Sequence, residues 1–141
     1  MPMPQEYAHA CDTFDRFLVE ARDALDLATR NQTYTVVQAV LVTFRKRLTA
    51  DQVLLFADQL PVVLRAIFVS GWHAGDTTAA FGDRTDLTKE VQGLRRHHNF
   101  APDNSIDVVT RVLRRYVDES RFDKVLMSIS SDACLYWKPA L

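Results

Sequence analysis

The chain has 141 residues, of which 48% are hydrophobic and 25% are charged, and its formal net charge is −1. This length and composition are typical of one soluble globular domain, and the near-zero charge excludes a global electrostatic attraction to nucleic acid or anionic membranes. With only 4 glycines and 5 prolines, a fold of many short strands joined by turns is disfavoured.

Apolar residues recur at steps of three or four along most of the chain, which predicts α-helices. The first predicted helix begins near Tyr7 and carries its apolar stripe as far as Leu25. The polar residues 30–33 are predicted to form a connection. A second amphipathic helix is predicted to follow, with its stripe running from Val37 to Leu48.

Residues 48–72 contain the strongest local signals. Thr49 and Gln52 have the spacing of a capping box, in which each side chain satisfies a backbone N–H at the start of a helix. Pro61 predicts a sharp corner, because proline cannot continue the preceding helix but fits the first turn of a new one. Gly71 is predicted to end this next helix, since glycine adopts the left-handed conformation required there.

Residues 73–83 contain two of the four glycines and little periodicity, so they are predicted to be a linker between two halves. The second half covers about residues 84–141. It is predicted to contain a first helix, a loop over 97–104, and two further helices that begin near Ser105 and Ser120.

The second half resembles the first half, about residues 5–72, when the sequence is shifted by 69 positions. Apolar positions keep their register along the overlap, and Ile67-Phe68 falls on Tyr136-Trp137. Any two helices share a period, but the additional aromatic match favours a diverged duplication. We therefore predict a single all-α domain made of two diverged helical halves, each a helix–corner–helix repeat.

A longer pattern runs through the first half: an apolar helix ending in Arg-Leu, a helix ending in Leu-Pro, an arginine four residues later, an aromatic residue and a Gly-Trp pair. Its residues are Arg47-Leu48, Leu60-Pro61, Arg65, Phe68 and Gly71-Trp72. In this pattern the chain resembles the bacterial domain-of-unknown-function family numbered 2267. The family's second half tends to end in a similar Leu-Pro, where this chain has Ile129-Ser130. The resemblance implies an all-α, prokaryotic, cytosolic protein, and it implies no established activity or functional residues.

The two cysteines, Cys11 and Cys134, lie near opposite ends of the chain and do not form a disulfide framework. No secretory signal is expected before them, and no apolar run approaches the ~20 residues of a membrane-spanning helix. We therefore expect a cytoplasmic protein without a membrane partner.

The chemically reactive residues form no recognised catalytic or metal-binding pattern. The sequence has no Gly-rich phosphate loop, no G-x-S-x-G elbow, and no ligand pair with C-x-x-C or H-x-x-x-H spacing. His73, His97 and His98 are expected in exposed loops, and Cys134 is expected to be a small buried hydrophobe. We predict no catalytic residues, no metal and no cofactor, which favours a protein that is not an enzyme.

Four residues are predicted to bind a ligand or partner if the chain has one: Arg65, Trp72, Arg45 and Arg114. Arginine and tryptophan dominate interface hot spots, and the arginines at 45 and 114 occupy equivalent positions that could face a shared anion site. The structural alternative is that Arg65 binds the last carbonyls of the neighbouring helix and Trp72 packs over the corner. The other two arginines would then be solvated near helix C-termini, where the macrodipole favours cations.

Three functions remain open at this point. The most favoured is a non-enzymatic module that binds another protein or self-associates as a homo-oligomer. The second is a small-ligand (anion) binding protein or enzyme with a pocket between the two halves, near Arg65 and Trp72. The third is a weak nucleic-acid binder using residues 45–47 and 111–115, and it is least favoured because Tyr116 is the only aromatic residue positioned for base stacking.

Overall fold

A computed structural model describes residues 1–140, which form nine α-helices and no strand. The helices are α1 (Gln5–Ala8), α2 (Ala10–Leu25), α3 (Arg30–Arg45), α4 (Ala50–Ala57), α5 (Val62–Val69), α6 (Arg84–Gly93), α7 (Ser105–Leu113), α8 (Glu119–Ile129) and α9 (Ser131–Tyr136). Short 3-10 turns occupy Arg96–His98 and Arg114–Tyr116. The predicted all-α fold is confirmed. No helix among these residues is both long enough and apolar enough to cross a membrane.

Polar side chains at the N-termini determine where α3 and α4 begin. Thr29 and Thr49 each accept a hydrogen bond from the backbone N–H three residues on, and the side chains of Gln32 and Gln52 accept from the capping N–H groups. The capping box predicted at Thr49 is confirmed. The connection predicted over residues 30–33 is wrong, because the second capping box makes this polar stretch the first turn of α3.

The corner predicted between α4 and α5 is confirmed. Helix α4 stops before Leu60, and α5 begins directly after Pro61, whose backbone is extended (φ −54°, ψ 153°). Gly71 has a φ of +70° in the turn that follows α5, as predicted. The Trp72 N–H closes that turn by donating to the Val69 carbonyl at 3.1 Å.

A second corner separates α8 from α9. Ser130 stands at this corner with an extended backbone (φ −175°, ψ 166°), and its hydroxyl accepts a hydrogen bond from the Ala133 N–H at 3.0 Å. A serine N-cap therefore produces the break that Pro61 produces in the first half. The sequence predicts only one helix after Ser120, whereas the structure has two, α8 and α9. The break between them was not predicted because serine is a weaker helix-breaking signal than proline.

Both halves of the chain contribute to one buried apolar core, so the chain forms a single domain. Its centre is α3, whose residues Val36, Val37, Ala39, Val40, Leu41 and Phe44 are at most 1% exposed. Trp137 joins the halves, because its ring lies 5.5 Å from Phe44, 5.6 Å from Phe56 and 5.9 Å from Phe122 between centroids. Such aromatic pairs each contribute about 0.5–1.5 kcal/mol beyond the area that they bury.

The apolar stripe predicted for the first helix, from Tyr7 to Leu25, is buried over only part of its length. The chain breaks at His9 between α1 and α2, and Tyr7 and Cys11 are exposed. The fully buried face of α2 instead begins at Phe17 and continues to Leu25. The helical period is correct, but the fully buried face covers only the C-terminal half of the predicted stripe.

Replacing Thr29 with alanine is expected to destabilise the protein by about 1 kcal/mol, because the Gln32 N–H loses its acceptor at the start of α3. The free energy of unfolding is measured by urea titration followed by circular dichroism. The matched control is Thr77→Ala, at an exposed position between α5 and α6, which is expected to change stability by less than about 0.5 kcal/mol. Equal effects of the two substitutions would contradict the capping role.

Candidate interaction site

Arg65, on α5, ties the two helices of the first corner together. Its guanidinium donates to the carbonyl oxygens of Ala57 at 3.2 Å and Leu60 at 3.1 Å. These carbonyls are among those left without an intrahelical partner where α4 ends. The guanidinium also lies 3.7 Å from the carboxylate of Glu6 on α1. These contacts are the ones expected if Arg65 has a structural role and binds the last carbonyls of the neighbouring helix.

Arg45 and Arg114 make equivalent contacts with the end of the last helix in their own halves. Arg45 donates to the carbonyls of Phe68 at 2.9 Å and Ser70 at 3.0 Å. Arg114 donates twice to the carbonyl of Trp137, at 2.6 and 2.9 Å. Phe68 and Trp137 each lie 23 residues after the arginine that binds them. No acceptor is shared between the two arginines, so these contacts do not bring them to one anion site.

Carboxylates lie beside both of these arginines. Arg114 pairs with Glu119 at 3.1 Å and with Asp123 at 2.9 Å, and its side chain is 11% exposed. Burial lowers the pKa of the Arg45 guanidinium, and the Asp76 carboxylate partly offsets this effect. Because two carboxylates already pair with Arg114, a further anion is disfavoured at that position.

A more enclosed arginine, Arg47, was not among the four predicted binding residues and entered only the nucleic-acid alternative, as part of residues 45–47. Its side chain is 7% exposed and forms a two-pronged ion pair with Glu90 of α6, with one of the two contacts at 2.9 Å. It also donates to the carbonyls of Thr43 at 2.8 Å and Ala80 at 3.3 Å. The hydrogen bond from Arg47 is the main cause of a lowered pKa for Glu90, although burial opposes it. The sequence shows both residues but not their proximity, because 43 positions separate them.

The remaining predicted residues do not come together. Trp72 is half-buried against the core, and Cys134 is half-buried on α9. His73, His97 and His98 are exposed, with the last two in the 3-10 turn after α6. Among residues 1–140, no group of three or more His, Cys, Asp or Glu side chains is placed to hold a metal ion.

A cavity of about 260 Å³ lies beside the corner between α4 and α5. We call it the first-half cleft. Its walls come from the starts of α1 and α2, from the corner itself and from residues 116–118, so it lies between the two predicted halves. Three carboxylates line it, those of Glu6, Asp58 and Asp118, with the single guanidinium of Arg65. This charge favours a cation over an anion.

A larger and more apolar groove of about 490 Å³ runs along the second corner. We call it the α8–α9 groove, and it is lined by Met127, Ser130, Ser131, Cys134, Leu135 and Lys138. Met127 is 66% exposed and Leu135 is 58% exposed. Isolated apolar side chains are common on protein surfaces, but neighbouring ones in a groove are typical of a contact surface.

The helical fold and the α8–α9 groove define an all-α, single-domain protein with an open apolar surface. A family profile described as "Uncharacterized conserved protein (DUF2267)" matches residues 14–134, so the chain belongs to this family, and the predicted resemblance is confirmed. None of the curated protein sequences compared with the chain matches it. The family description names no activity, so function has to be inferred from the surfaces described above.

Replacing Arg114 with methionine is expected to destabilise the protein by about 1–3 kcal/mol, because the Trp137 carbonyl loses its donors. The matched control is Arg115→Met at the next position, whose side chain is 64% exposed. It is expected to cost less than about 0.5 kcal/mol. Urea unfolding measures both, and two equally stable variants would show that Arg114 is not structural.

Replacing Glu90 with glutamine is expected to destabilise the protein near neutral pH and to have little effect in acid. The folded state lowers the pKa of Glu90 from its ordinary value of 4.5, so the ionised carboxylate adds stability above that value. This contribution is lost as the pH falls through the folded-state pKa.

The measurement for Glu90→Gln is the difference in unfolding free energy from the unmodified protein, between about pH 7 and about pH 3. Glu119→Gln is the matched control, because that carboxylate is 60% exposed and pairs at the surface. A difference for Glu90→Gln that stays constant across this range would argue against the ionised pair as its cause.

Proposed function

We propose that this protein is a non-enzymatic interaction module that docks a helical segment of a partner protein in the α8–α9 groove. The observation that carries the proposal is the exposure of Met127 and Leu135 in a groove that no carboxylate of residues 1–140 lines. Covering such side chains is favourable by about 25 cal/mol per Å² of apolar surface. Amphipathic helices bind apolar grooves in this way, and methionine adapts its shape to the surface that it meets.

The two alternative functions have weaker support. An anion pocket between the halves would coincide with the first-half cleft, whose three carboxylates and engaged Arg65 disfavour an anion. A nucleic-acid surface needs cations that are free to meet phosphates. Arg45, Arg47 and Arg114 instead donate to carbonyl groups of the chain itself.

A photo-crosslinking amino acid placed at Met127 in the protein's own organism is expected to give a discrete adduct with another polypeptide. The same amino acid at Val19, an exposed apolar position on α2, is the matched control and is expected to give none. Mass spectrometry identifies the adduct, and the identified protein is then purified for binding measurements.

Met127→Asp is expected to weaken binding of that purified partner by at least about tenfold, because a carboxylate would have to be desolvated against apolar surface. Val19→Asp is expected to leave the affinity unchanged. Thermal unfolding of both variants checks that the fold is retained. Adducts of equal yield at the two positions, or equal binding by the two variants, would contradict the proposal. An adduct between two copies of this chain would show that the groove mediates self-association and does not bind a different protein.

A further inference from the structure

The two corners carry cavities at equivalent positions. Part of the first-half cleft is lined by the corner residues Asp58, Pro61, Val62 and Arg65. The residues 69 positions later line the α8–α9 groove: Met127, Ser130, Ser131 and Cys134. The backbone therefore builds the same kind of depression twice, and the side chains give each one a different chemistry.

The two cavities differ in the wall that lies opposite the corner residues. In the first-half cleft, Glu6, Ala10 and Thr13 of α1 and α2 form an opposing wall. The described part of the chain provides no such wall for the α8–α9 groove, because every residue of 1–140 that lines it lies between positions 127 and 138. The segment 69 positions after the wall, residues 75–82, is irregular and does not line the groove. A helical wall is thus present at one corner and missing at the other.

We infer that the missing wall is supplied by an acidic amphipathic helix of a partner protein, seated against α8 and α9 as α1 and α2 are seated against the first corner. This inference rests on the proposed function. Ala10 and Thr13 are three positions apart, which places them on one face of α2, and Glu6 adds to the wall from α1, before the break at His9. The partner helix is expected to present an apolar face of the same spacing to Met127 and Leu135.

The charge of the partner follows from Lys138. Lys138 is exposed and, within the described residues 1–140, is the only charged side chain that lines the groove. At the first corner the wall helix brings the Glu6 carboxylate to within 3.7 Å of the Arg65 guanidinium, which shows the kind of pair that a wall helix can make here. A carboxylate on the partner would favour one orientation and faster association, while the apolar contacts supply most of the affinity.

The probe is a fluorescein-labelled peptide of residues 1–18 of this chain with Cys11 replaced by serine, because this segment contains the natural wall and its apolar stripe. Full-length ¹⁵N-labelled protein, whose own α1 and α2 occupy the first corner, is titrated with it. Saturable shifts are expected for amides of residues 127–138. Met127→Asp is expected to weaken binding at least about tenfold, and Val19→Asp is the matched control.

Charge is tested with a second peptide in which Glu6, Asp12 and Asp15 are replaced by lysine. It is expected to bind at least about threefold more weakly than the first peptide, and Lys138→Glu is expected to reverse this preference. Lys124→Glu, an exposed lysine of α8 outside the groove, is the control and is expected to leave the preference unchanged.

Two results would overturn the inference: no saturable shifts at residues 127–138, or shifts confined to the first-half cleft. Equal binding of the two peptides would overturn the inference that the partner helix is acidic. If crosslinking at Met127 yields a partner but the peptide does not bind, the inference that the partner helix is seated like α1 and α2 fails, and the proposed function stands. If neither gives a signal at the groove, both fail.

Discussion

The fold depends on arginine side chains that satisfy the carbonyl groups left open where its short helices end. Each helix end leaves up to four carbonyls without an intrahelical partner, and nine helices within residues 1–140 create many such ends. Arg65 donates hydrogen bonds to carbonyls at the end of α4, and Arg45 donates to carbonyls at the end of α5. Arg84 and Arg114 both donate to carbonyls at the end of α9. Residues that look like a basic binding surface in the sequence are therefore mostly structural.

The same interactions support the predicted duplication. Arg45 and Arg114 are 69 positions apart, and so are the N-caps of α4 and α8, Thr49 and Asp118. Pro61 and Ser130, which begin the helices after each corner, have the same separation. These matched positions agree with the predicted duplication, and a shared origin of the two halves stays a prediction. The two corners differ in chemistry, because charged side chains line one cavity and mostly apolar and uncharged side chains line the other.

Local signals in the sequence were sufficient for the helical periods, the capping box at Thr49 and the corner at Pro61. They were insufficient wherever the outcome depends on distant contacts. Met127 lies off the predicted apolar stripe of its helix, but periodicity does not encode that it shares a groove with Leu135. The partners of Arg114 and Arg47 are likewise set by packing between helices far apart in sequence. The candidate site was therefore not predictable, although most of the framework around it was.

The groove and the framework place different demands on the sequence. Trp137 and Phe44 are fully buried, so their substitution would cost packing energy whatever the protein binds. Met127 and Leu135 leave most of their surface in water, and a polar residue would serve the fold about as well. Exposed apolar residues that stability does not require are best explained by a contact that buries them. In this protein the arginine contacts stabilise the second corner, and that corner fixes the position of the side chains on which the proposed docking surface depends.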